Sequence, residues 1–524
     1  MDGLERPAWI SIDRVTRRVL PSGRMCSVRL VAWRQEGARH GSARRAGPER
    51  ARQLNPVVHD QEVTMKDQFD AELRANLRGA LIARGDADYD DARKLFNGMI
   101  DKRPLLIARC ADVADVITAV NFGRDHNLLV AVRGGGHNGP GLGSCDDGLV
   151  IDLSAMNGVR VDPNARTARV GAGCTQGDVD HATHAFGLAV PAGIISTTGV
   201  AGLTLSGGHG YLTRKYGLTI DNLIEADVVL ADGSFVTASR EQNTSLFWAL
   251  RGGGGNFGIV TSFVFQLHPV GMVFAGPIAW DQSHARTIMQ RYREFLPVAP
   301  EELGIFLGLK TILSSAPFPE ELWGKRMCLL MCCYAGPEEQ GRQALAPLMD
   351  SLPAPWLNWM GTMPYPAVQS MFDGLYPKGM QWYWRGDFVK TLSDAAIDAH
   401  LEQAAKAPSE LSLMHLYPID GAVHRVGKEE TAWNCRDATW SMVIAGIDPN
   451  PQKAGPVTRW TKAYWEAVHP FDLGGAYPNF MMDDEDGARL KATYGDNYKR
   501  LAALKKQYDP TNLFRVNQNI RPAV

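Results

Sequence analysis

The apolar positions along the chain follow two periodicities, which predict helices and strands in alternation. In the stretch LLIARCADVADVITAVNFGRDHN a short strand precedes an amphipathic helix, with Asp112 as its N-cap. The segments LLVAVRGG, GLVIDLS, GVRVDPNARTARVGAG and IEADVVLADGSFVTAS read as buried strands joined by turns, and TSLFWALRG as a helix before the long strand GIVTSFVFQLHPV. Residues 101–270 are therefore predicted to form one α+β domain.

A second region follows, with Pro-rich breaks at 270–300 and 351–366. Its apolar or alternating segments RMCLLMCCYAG, GMQWYWRGDFV, LSLMHLYPIDG and TWSMVIAGI are separated by helical patterns such as SDAAIDAHLEQAAKA. This arrangement predicts an antiparallel sheet backed by helices. With the closing helix YKRLAALKKQY, the expected divisions are 65–272, 273–470 and 471–524.

The first 64 residues differ from the rest of the chain. They contain twelve Arg and little periodicity, which is typical of a disordered extension or of a start codon placed too far upstream. The stretch MKDQFDAELRANLRGALIARG, from Met65, is amphipathic and predicts a helix. Because no apolar segment follows Arg17 and Arg18, no export signal is identified, and a cytoplasmic protein is expected.

Composition excludes several classes of function. The formal net charge is -2, with 21% charged and 45% hydrophobic residues, so there is no electrostatic reason to expect binding to nucleic acid or acidic membranes. No uninterrupted apolar run reaches the ~18 residues of a membrane span. The eight cysteines form no C-x-x-C pair, so neither a zinc site nor a disulfide framework is expected. A small-molecule substrate fits this balance best.

Two glycine clusters match the pattern G-x-G-x-x-G, at Gly134, Gly136 and Gly139 and at 253–258. The dinucleotide fingerprint requires a strand before the glycines and a helix after them. Here PGLGSCDDG follows the first cluster, and the second lies between a helix and a strand. The Rossmann interpretation therefore fails, while backbone N–H groups of such loops can still converge on a phosphate, with Arg133 beside them.

Five ordered segments carry a resemblance to a known family: RGGGHN, GAGCTQGD, VPAGIISTTGVAGLTLSGGHGYLTRKYGLTIDNL, ALRGGGGNFGIVTSF and YDPTNLFRVNQNI. Together they resemble the berberine bridge enzyme-like flavoproteins of the vanillyl-alcohol oxidase superfamily, over about residues 95–522. The resemblance implies a PCMH-type FAD-binding domain, a substrate domain, and a C-terminal segment that returns to complete the FAD site.

The resemblance also implies the cofactor contacts. In that family the His of R-G-G-G-H is bonded to the 8-methyl carbon of the flavin and the Cys of G-x-G-C to ring carbon 6, which here are His137 and Cys174. Imidazole and thiolate are nucleophiles suited to attack an electron-poor ring. The other implied cofactor contacts are Arg133, Gly134, Gly135, Gly136, Asn138, Gly139, Thr197, Thr198, Gly199, Gly202, Gly207, Gly208, Gly210, Ile259, Val260, Asn479, Asn517 and Asn519.

For catalysis, the segment AYPNFM places Tyr477 and Asn479 where the family often has a Tyr-x-Asn pair, with Tyr as the base. An unperturbed tyrosine pKa of about 10 makes phenolate scarce at neutral pH, so the site would have to lower it. In QWYWRGDF, alternation separates Trp382 and Trp384 from Tyr383, which is the second candidate for substrate contact. Since some relatives use Glu, the assignment of the base stays open.

The preferred hypothesis is an oxidase that passes hydride from an alcohol, sugar or secondary metabolite to FAD, with molecular oxygen as acceptor and hydrogen peroxide as product. One alternative is a flavin dehydrogenase with a different acceptor. Another is a flavin-binding protein without turnover, in which Tyr477 would be structural.

Overall fold

The structure is a computed structural model that describes residues 71–485 and 487–524. The first 64 residues lie outside the described residues. Residues 71–76 are helical, but the helix predicted to run on from Met65 does not extend to Gly85, because Ala80–Ala83 is a strand. That strand pairs antiparallel with Leu106–Arg109 and buries three of its four residues. Sheet pairing, which helical periodicity cannot reveal, overrides the local pattern here.

Two small sheets form the first part of the described chain. One has the strand order Ala80–Ala83, Leu106–Arg109, Leu149–Asp152 and Val130–Arg133, and its last three strands are parallel. The other is antiparallel, in the order Val159–Asp162, Thr167–Gly171, Ile259–Gln266, Leu223–Val229 and Phe235–Ser239. A two-stranded pair joins Leu188–Ala189 to His268–Pro269. These sheets confirm the predicted mixed α+β character.

The large sheet that follows is antiparallel throughout. Its strands lie in the order Leu357–Asn358, Met272–Asp281, Arg326–Tyr334, Leu303–Thr311, Leu413–Pro418, Trp440–Asp448 and Gln381–Val389, with Gly361–Pro364 also paired to Met272–Asp281. Apolar side chains on one face pack against helices, which confirms the predicted sheet backed by helices. The other face carries aromatic residues and packs against residues of the first part of the chain, among them Phe96 and Tyr211.

One helix begins at the cap that the sequence predicts. Asp112 accepts backbone N–H bonds from Ala114 and Asp115 at the start of Val113–Asp125, as predicted. The other α-helices in the described residues are Tyr89–Ala92, Gln176–His184, Val200–Leu205, Thr213–Tyr216, Thr244–Leu250, Ala285–Phe295, Glu338–Met349, Tyr365–Gln369, Asp394–Ala404, Ala454–Val468, Gly487–Tyr494 and Asn497–Tyr508. Short 3₁₀ turns include Thr219–Asn222, Asp373–Leu375, Gly421–Arg425 and Pro478–Phe480.

The C-terminal segment returns to the first part of the chain. Buried residues of this segment join the same hydrophobic core as the two small sheets: Met481, Leu490, Tyr494, Leu501, Leu504, Leu513, Phe514 and Ile520. Burial of apolar surface on this scale stabilises the return of the segment at about 25 cal/mol per Å². The last residues are therefore held against the glycine-rich loops of the first part.

Among the helices of residues 71–485 and 487–524, none combines the length and the apolar character needed to cross a bilayer.

Candidate functional site

A cavity of about 360 Å³ lies between the first part of the chain and the aromatic face of the large sheet. Volumes of about 300–1,000 Å³ are typical of small-molecule sites. One side of the cavity is built from backbone-rich loops at 133–138, 198–202 and 254–260 and from residues 516–518 of the C-terminal segment. The opposite side is built from side chains of the large sheet and of residues 477–480.

The first glycine loop follows strand Val130–Arg133 and carries His137. Gly136 adopts a φ of 69°, a left-handed conformation that favours glycine. The imidazole of His137 lies on the cavity, stacks on Phe96 at 3.8 Å between ring centroids, and has its Nε2 2.9 Å from the hydroxyl of Thr197. Burial lowers the pKa of His137 to about 4, so the ring is a neutral nucleophile at physiological pH.

Arg133 lies at the base of the same loop, buried and paired to Asp152. Its Nη2 donates to Asp152 Oδ2 at 2.8 Å. Because the guanidinium is already neutralised by a buried carboxylate, Arg133 adds little net positive charge to the cavity. Its role in this arrangement is to hold the loop, since a buried pair loses much stability when one partner is removed.

Cys174 does not line the cavity, in contrast to His137. The residue is fully buried, and its Sγ lies 3.7 Å from the carbonyl oxygen of Gly158. Burial raises the pKa of the thiol to about 12. Its backbone is tied to the cavity lining, because the Cys174 carbonyl accepts the N–H of Val200 at 2.9 Å. Val200 begins helix Val200–Leu205, which contributes Ala201, Gly202, Leu203 and Leu205 to the lining and is here called the wall helix.

The second glycine cluster and the C-terminal segment close the cavity together. Asn517 donates to the carbonyl of Gly255 at 3.0 Å and lies on the cavity, while Asn519 does not. Behind them Asn256 donates to the carbonyl of Gln518, and Asn256 Oδ1 accepts the N–H of Ile520 at 3.0 Å. The return of the C-terminus thus rests on side-chain amides that bond to backbone groups.

The cofactor contacts expected from the sequence separate into two groups. On the cavity lie Arg133, Gly134, Gly135, Gly136, His137, Asn138, Thr198, Gly199, Gly202, Ile259, Val260, Asn479 and Asn517. Outside its lining lie Gly139, Cys174, Thr197, Gly207, Gly208, Gly210 and Asn519. Close backbone packing explains several of the latter glycines: a Cβ on Gly210 would lie 2.0 Å from the Ala192 carbonyl oxygen, and one on Gly139 2.5 Å from the Trp384 ring.

Tyr477 is buried and lies on the cavity with Asn479. Its hydroxyl accepts the backbone N–H of Gly208 at 3.1 Å and the side-chain N–H of Asn479 at 2.9 Å. Burial nevertheless raises the pKa of Tyr477 to about 12, and these two donors only moderate the increase. The lowered pKa required of a tyrosine base is therefore not found, and the hydroxyl keeps its proton at neutral pH.

The structure does not place Tyr383, the second candidate for substrate contact, on the cavity. Its side chain lies on the face of strand Gln381–Val389 that packs against helix Ala454–Val468, and its hydroxyl donates to Asp484 at 2.9 Å. The rings of Trp382 and Trp384 line the cavity instead. Alternation along the strand separated the two faces correctly but did not reveal which one faces the cavity.

The aromatic side of the cavity was largely missed from the sequence. It consists of Phe96, Tyr376, Trp382, Trp384, Tyr417 and Phe480, here called the aromatic wall. Neighbouring rings are in contact, with centroids 5.3 Å apart for Phe96 and Trp382 and 5.7 Å for Trp382 and Trp384. These residues come from five separate segments of the chain, so no local motif identifies them.

His209 is another cavity residue that the sequence analysis left unassigned. It lies between Tyr477 and Tyr417, with ring centroids 4.4 Å and 5.0 Å away. Burial lowers its pKa to about 3, so the imidazole is neutral. A signal was present, since His209 interrupts the glycine run SGGHG, where a bulky polar residue needs a reason.

The residues that line the cavity leave space suited to FAD. Gly202 and Gly255 both line it, and a Cβ built on either would meet no protein atom within 4 Å. The absent side chains therefore leave space along the backbone for a ligand, next to the loops whose N–H groups can meet phosphate oxygens. Within residues 71–485 and 487–524, no cluster of His, Cys, Asp and Glu is suited to a metal ion.

Comparison with known proteins supports this interpretation. Residues 104–239 match the family model described as FAD binding domain, and residues 476–521 match that described as berberine and berberine like. An FAD-linked oxidoreductase of Dictyostelium discoideum is 32% identical, over 86% of this chain and 96% of the relative. The (R)-6-hydroxynicotine oxidase of Paenarthrobacter nicotinovorans is 30% identical, over 85% and 97%.

A solved structure shows the same fold. BBE-like 1 of Physcomitrella patens superposes with a TM-score of 0.77 at 25% sequence identity, over 88% of this chain and 99% of that protein. The likeness therefore covers the two small sheets, the large sheet and the C-terminal segment together. On these matches and on the cavity described above, the chain belongs to the berberine bridge enzyme-like family and is an FAD-linked oxidoreductase.

Proposed function

We propose that this enzyme is an oxidase with bicovalently bound FAD, linked through His137 and Cys174, that oxidises a small hydroxylated molecule. The observation that carries the proposal is the two-sided cavity: backbone-rich loops with His137 on one side, and the aromatic wall with Tyr477 on the other. When bound, FAD would supply a two-electron redox centre: the substrate C–H hydrogen would leave as hydride and the O–H hydrogen as a proton released to solvent, and two electrons with two protons would then reduce oxygen to hydrogen peroxide.

His137 supports one covalent link directly. Its ring faces the cavity, is neutral, and is oriented by the Phe96 ring and the Thr197 hydroxyl. A neutral imidazole has a nitrogen lone pair available for attack on an electron-poor ring.

The Cys174 link is proposed to require a side-chain rotation. The thiol lies against the Gly158 carbonyl and is not part of the cavity lining, and its raised pKa keeps it protonated. Rotation about χ1, a step between staggered rotamers, would bring Sγ toward the wall helix. We therefore expect the cysteine link to form more slowly than the histidine link, because only the thiolate reacts.

Tyr477 is proposed to bind the reacting oxygen of the substrate. Two N–H groups already occupy its oxygen as donors, and the nearest acceptor for its own proton is the Leu203 carbonyl at 3.5 Å, a weak contact. The phenol O–H is therefore available as a donor to a bound molecule. In this role the residue positions the substrate without losing its proton.

The experiment is peptide mapping of the purified yellow protein after acid precipitation. Trypsin cleaves after Arg133, Arg160, Arg169 and Arg214, so His137 and Cys174 fall on separate peptides. A bicovalent flavin joins both peptides in one mass, His137→Ala leaves flavin on the Cys174 peptide, and Cys174→Ala leaves it on the His137 peptide. If the protein loses its colour on precipitation, both covalent links are contradicted and FAD is bound non-covalently. If the protein is purified without flavin, the proposed cofactor itself is contradicted.

Peroxide release separates the oxidase from the dehydrogenase. With a substrate that bleaches the flavin absorbance, one hydrogen peroxide per turnover in air supports the oxidase. Bleaching that persists in air, and that is reversed only by an added quinone, would assign the dehydrogenase.

A further inference from the structure

His209 lines the cavity and has buried ring nitrogens whose hydrogen-bonding capacity is unsatisfied. The residue is 5% exposed, and neither Nδ1 nor Nε2 has a hydrogen-bond partner in the part of the chain that the structure describes. Its ring lies against Tyr477, Tyr417 and Phe480, and the residue lines the cavity. A neutral imidazole carries one N–H donor and one lone pair, so both capacities are open.

Two other histidines of the described residues have tyrosine hydroxyls as partners. His400 Nδ1 lies 3.1 Å from the Tyr464 hydroxyl, and His415 Nδ1 lies 3.2 Å from the Tyr417 hydroxyl. Leaving a buried polar group unpaired is costly, and such groups in native proteins have partners or a functional reason. The partner of His209 is therefore expected to come from the molecule that fills the cavity.

The charge of the cavity limits what that molecule can be. Among the described residues that line it, none is Asp, Glu or Lys, and Arg133 is already paired to Asp152. Against the aromatic wall, a cationic amine or a carboxylate would lose its hydration without gaining an ion pair from a protein side chain. A neutral molecule enters at lower cost, and a flat ring face matches the contacting rings of the aromatic wall.

We propose that His209 binds the reacting hydroxyl of a neutral, ring-containing substrate, whose flat face lies on the aromatic wall. This assignment rests on the proposed oxidase function and names the substrate class of the same site. The substrate O–H donates to the free ring nitrogen of His209, while the phenol of Tyr477 donates to the substrate oxygen. The two rings are in contact, with their centroids 4.4 Å apart, so one bound molecule can lie against both residues.

The imidazole also suits this role over a wide pH range. Because burial keeps the ring neutral, its lone pair is not removed by protonation in the ordinary working range. His209 therefore acts as a permanent hydrogen-bond acceptor and sets a requirement for a donor O–H on the substrate. A site built to bind a hydroxyl discriminates strongly against analogues that lack it, because its own polar groups are then left unpaired.

The test uses the flavin-loaded protein without air and three matched probes: 2-naphthylmethanol, 2-naphthylmethylammonium and 2-naphthoate. Binding is read from the perturbation of the flavin absorbance, so turnover is not required. We expect the alcohol to bind at least about tenfold more tightly than either charged probe, as one to two kept hydrogen bonds imply. His209→Leu is expected to weaken alcohol binding about tenfold, and His209→Gln, which keeps a donor and an acceptor, about threefold or less.

Controls distinguish an effect of His209 on probe binding from a general loss of structure or of flavin. His181→Leu, at an exposed position outside the cavity, is expected to leave all three affinities unchanged. Flavin content is measured first in each protein. If His209→Leu does not fold, the affinities of His209→Gln are compared with those of the wild type instead. Absence of flavin from the wild type would contradict the proposed function itself.

Three results would overturn the assignment with flavin present. The first is tighter binding of the ammonium or the carboxylate than of the alcohol, or binding of none of the probes. The second is an unchanged alcohol affinity in His209→Leu. The third is loss of flavin from His209→Leu and His209→Gln with unchanged preference among the probes in the remaining holoenzyme, which would assign the imidazole to the cofactor.

Discussion

Gly135 and Gly199 approach each other so closely that a Cβ on Gly135 would lie 2.4 Å from the backbone nitrogen of Gly199. The contact joins the loop of His137 to the start of the wall helix. The same helix start is tied to the Cys174 loop, because Thr175 forms a β-bridge with Gly199. His137 and Cys174 are 37 positions apart in sequence, and glycine backbone contacts thus tie the loops of both residues to the wall helix.

Gly135→Ala is expected to disrupt this junction. The added methyl cannot be accommodated, since the atoms it meets are backbone and cannot rotate away. We expect destabilisation of at least about 2 kcal/mol in chemical unfolding, together with reduced flavin content. Gly271→Ala is the matched control, because a Cβ there meets nothing within 4 Å. Equal stability of the two variants would contradict the close contact.

Gly202→Ala is expected to separate folding from cofactor binding. Gly202 lies inside helix Val200–Leu205, where replacing glycine with alanine stabilises by about 0.5–1 kcal/mol. The new methyl points into open cavity space, so it should obstruct FAD. Thermal unfolding of the flavin-free fraction and the ratio of flavin to protein absorbance measure the two effects. A variant with full flavin content would exclude this part of the cavity as cofactor space.

Tyr477→Phe is expected to lower the rate of flavin reduction by substrate at least about tenfold, because the variant loses the phenol O–H that positions the substrate oxygen, and about 1.4 kcal/mol of lost transition-state stabilisation corresponds to a factor of ten. Its hydroxyl faces the cavity and holds three polar contacts. Tyr383→Phe is the control, since that hydroxyl donates to Asp484 on the opposite face of the strand. The control should reduce stability by about 1–2 kcal/mol and leave the reduction rate unchanged. Stopped-flow measurement of flavin bleaching decides between them.

The pH profile of kcat/KM should show no limb from His209 or Tyr477 between pH 5 and pH 9. Burial places the pKa of His209 at about 3 and that of Tyr477 at about 12, so His209 loses its lone pair only when the pH falls toward 3. Tyr477 loses its proton only when the pH rises toward 12. An acid limb near the ordinary histidine pKa that disappears in His209→Gln would contradict this prediction.

Acid should destabilise the protein through its buried neutral histidines. Burial lowers the pKa of His400 from 6.5 to about 4, so below pH 6.5 the unfolded state binds a proton that the folded state does not. Stability therefore falls as the pH drops from 6.5 to 4, by about 2 kcal/mol at pH 5 for this one group. His400→Gln should flatten the dependence by that amount in urea unfolding at pH 7 and pH 5. An identical slope in both proteins would exclude the contribution.

Local sequence determined much of this protein. The cap at Asp112, the strands of both parts and the glycine loops follow from periodicity and turn chemistry, and the ordered motifs identified the family. These features depend on neighbouring residues, which fix backbone conformation directly. The position of His137 on the cavity follows from its motif in the same way.

Only the tertiary structure decided which side chains meet. Strand alternation separated Tyr383 from Trp382 and Trp384, but the packing of helix Ala454–Val468 on one face determined that the tryptophans line the cavity. The strand Ala80–Ala83 exists because a distant strand offers it hydrogen bonds. The unpaired nitrogens of His209 likewise appear only once segments hundreds of residues apart enclose it. Contacts of that kind arise from burial and pairing between remote segments, and no local pattern encodes them.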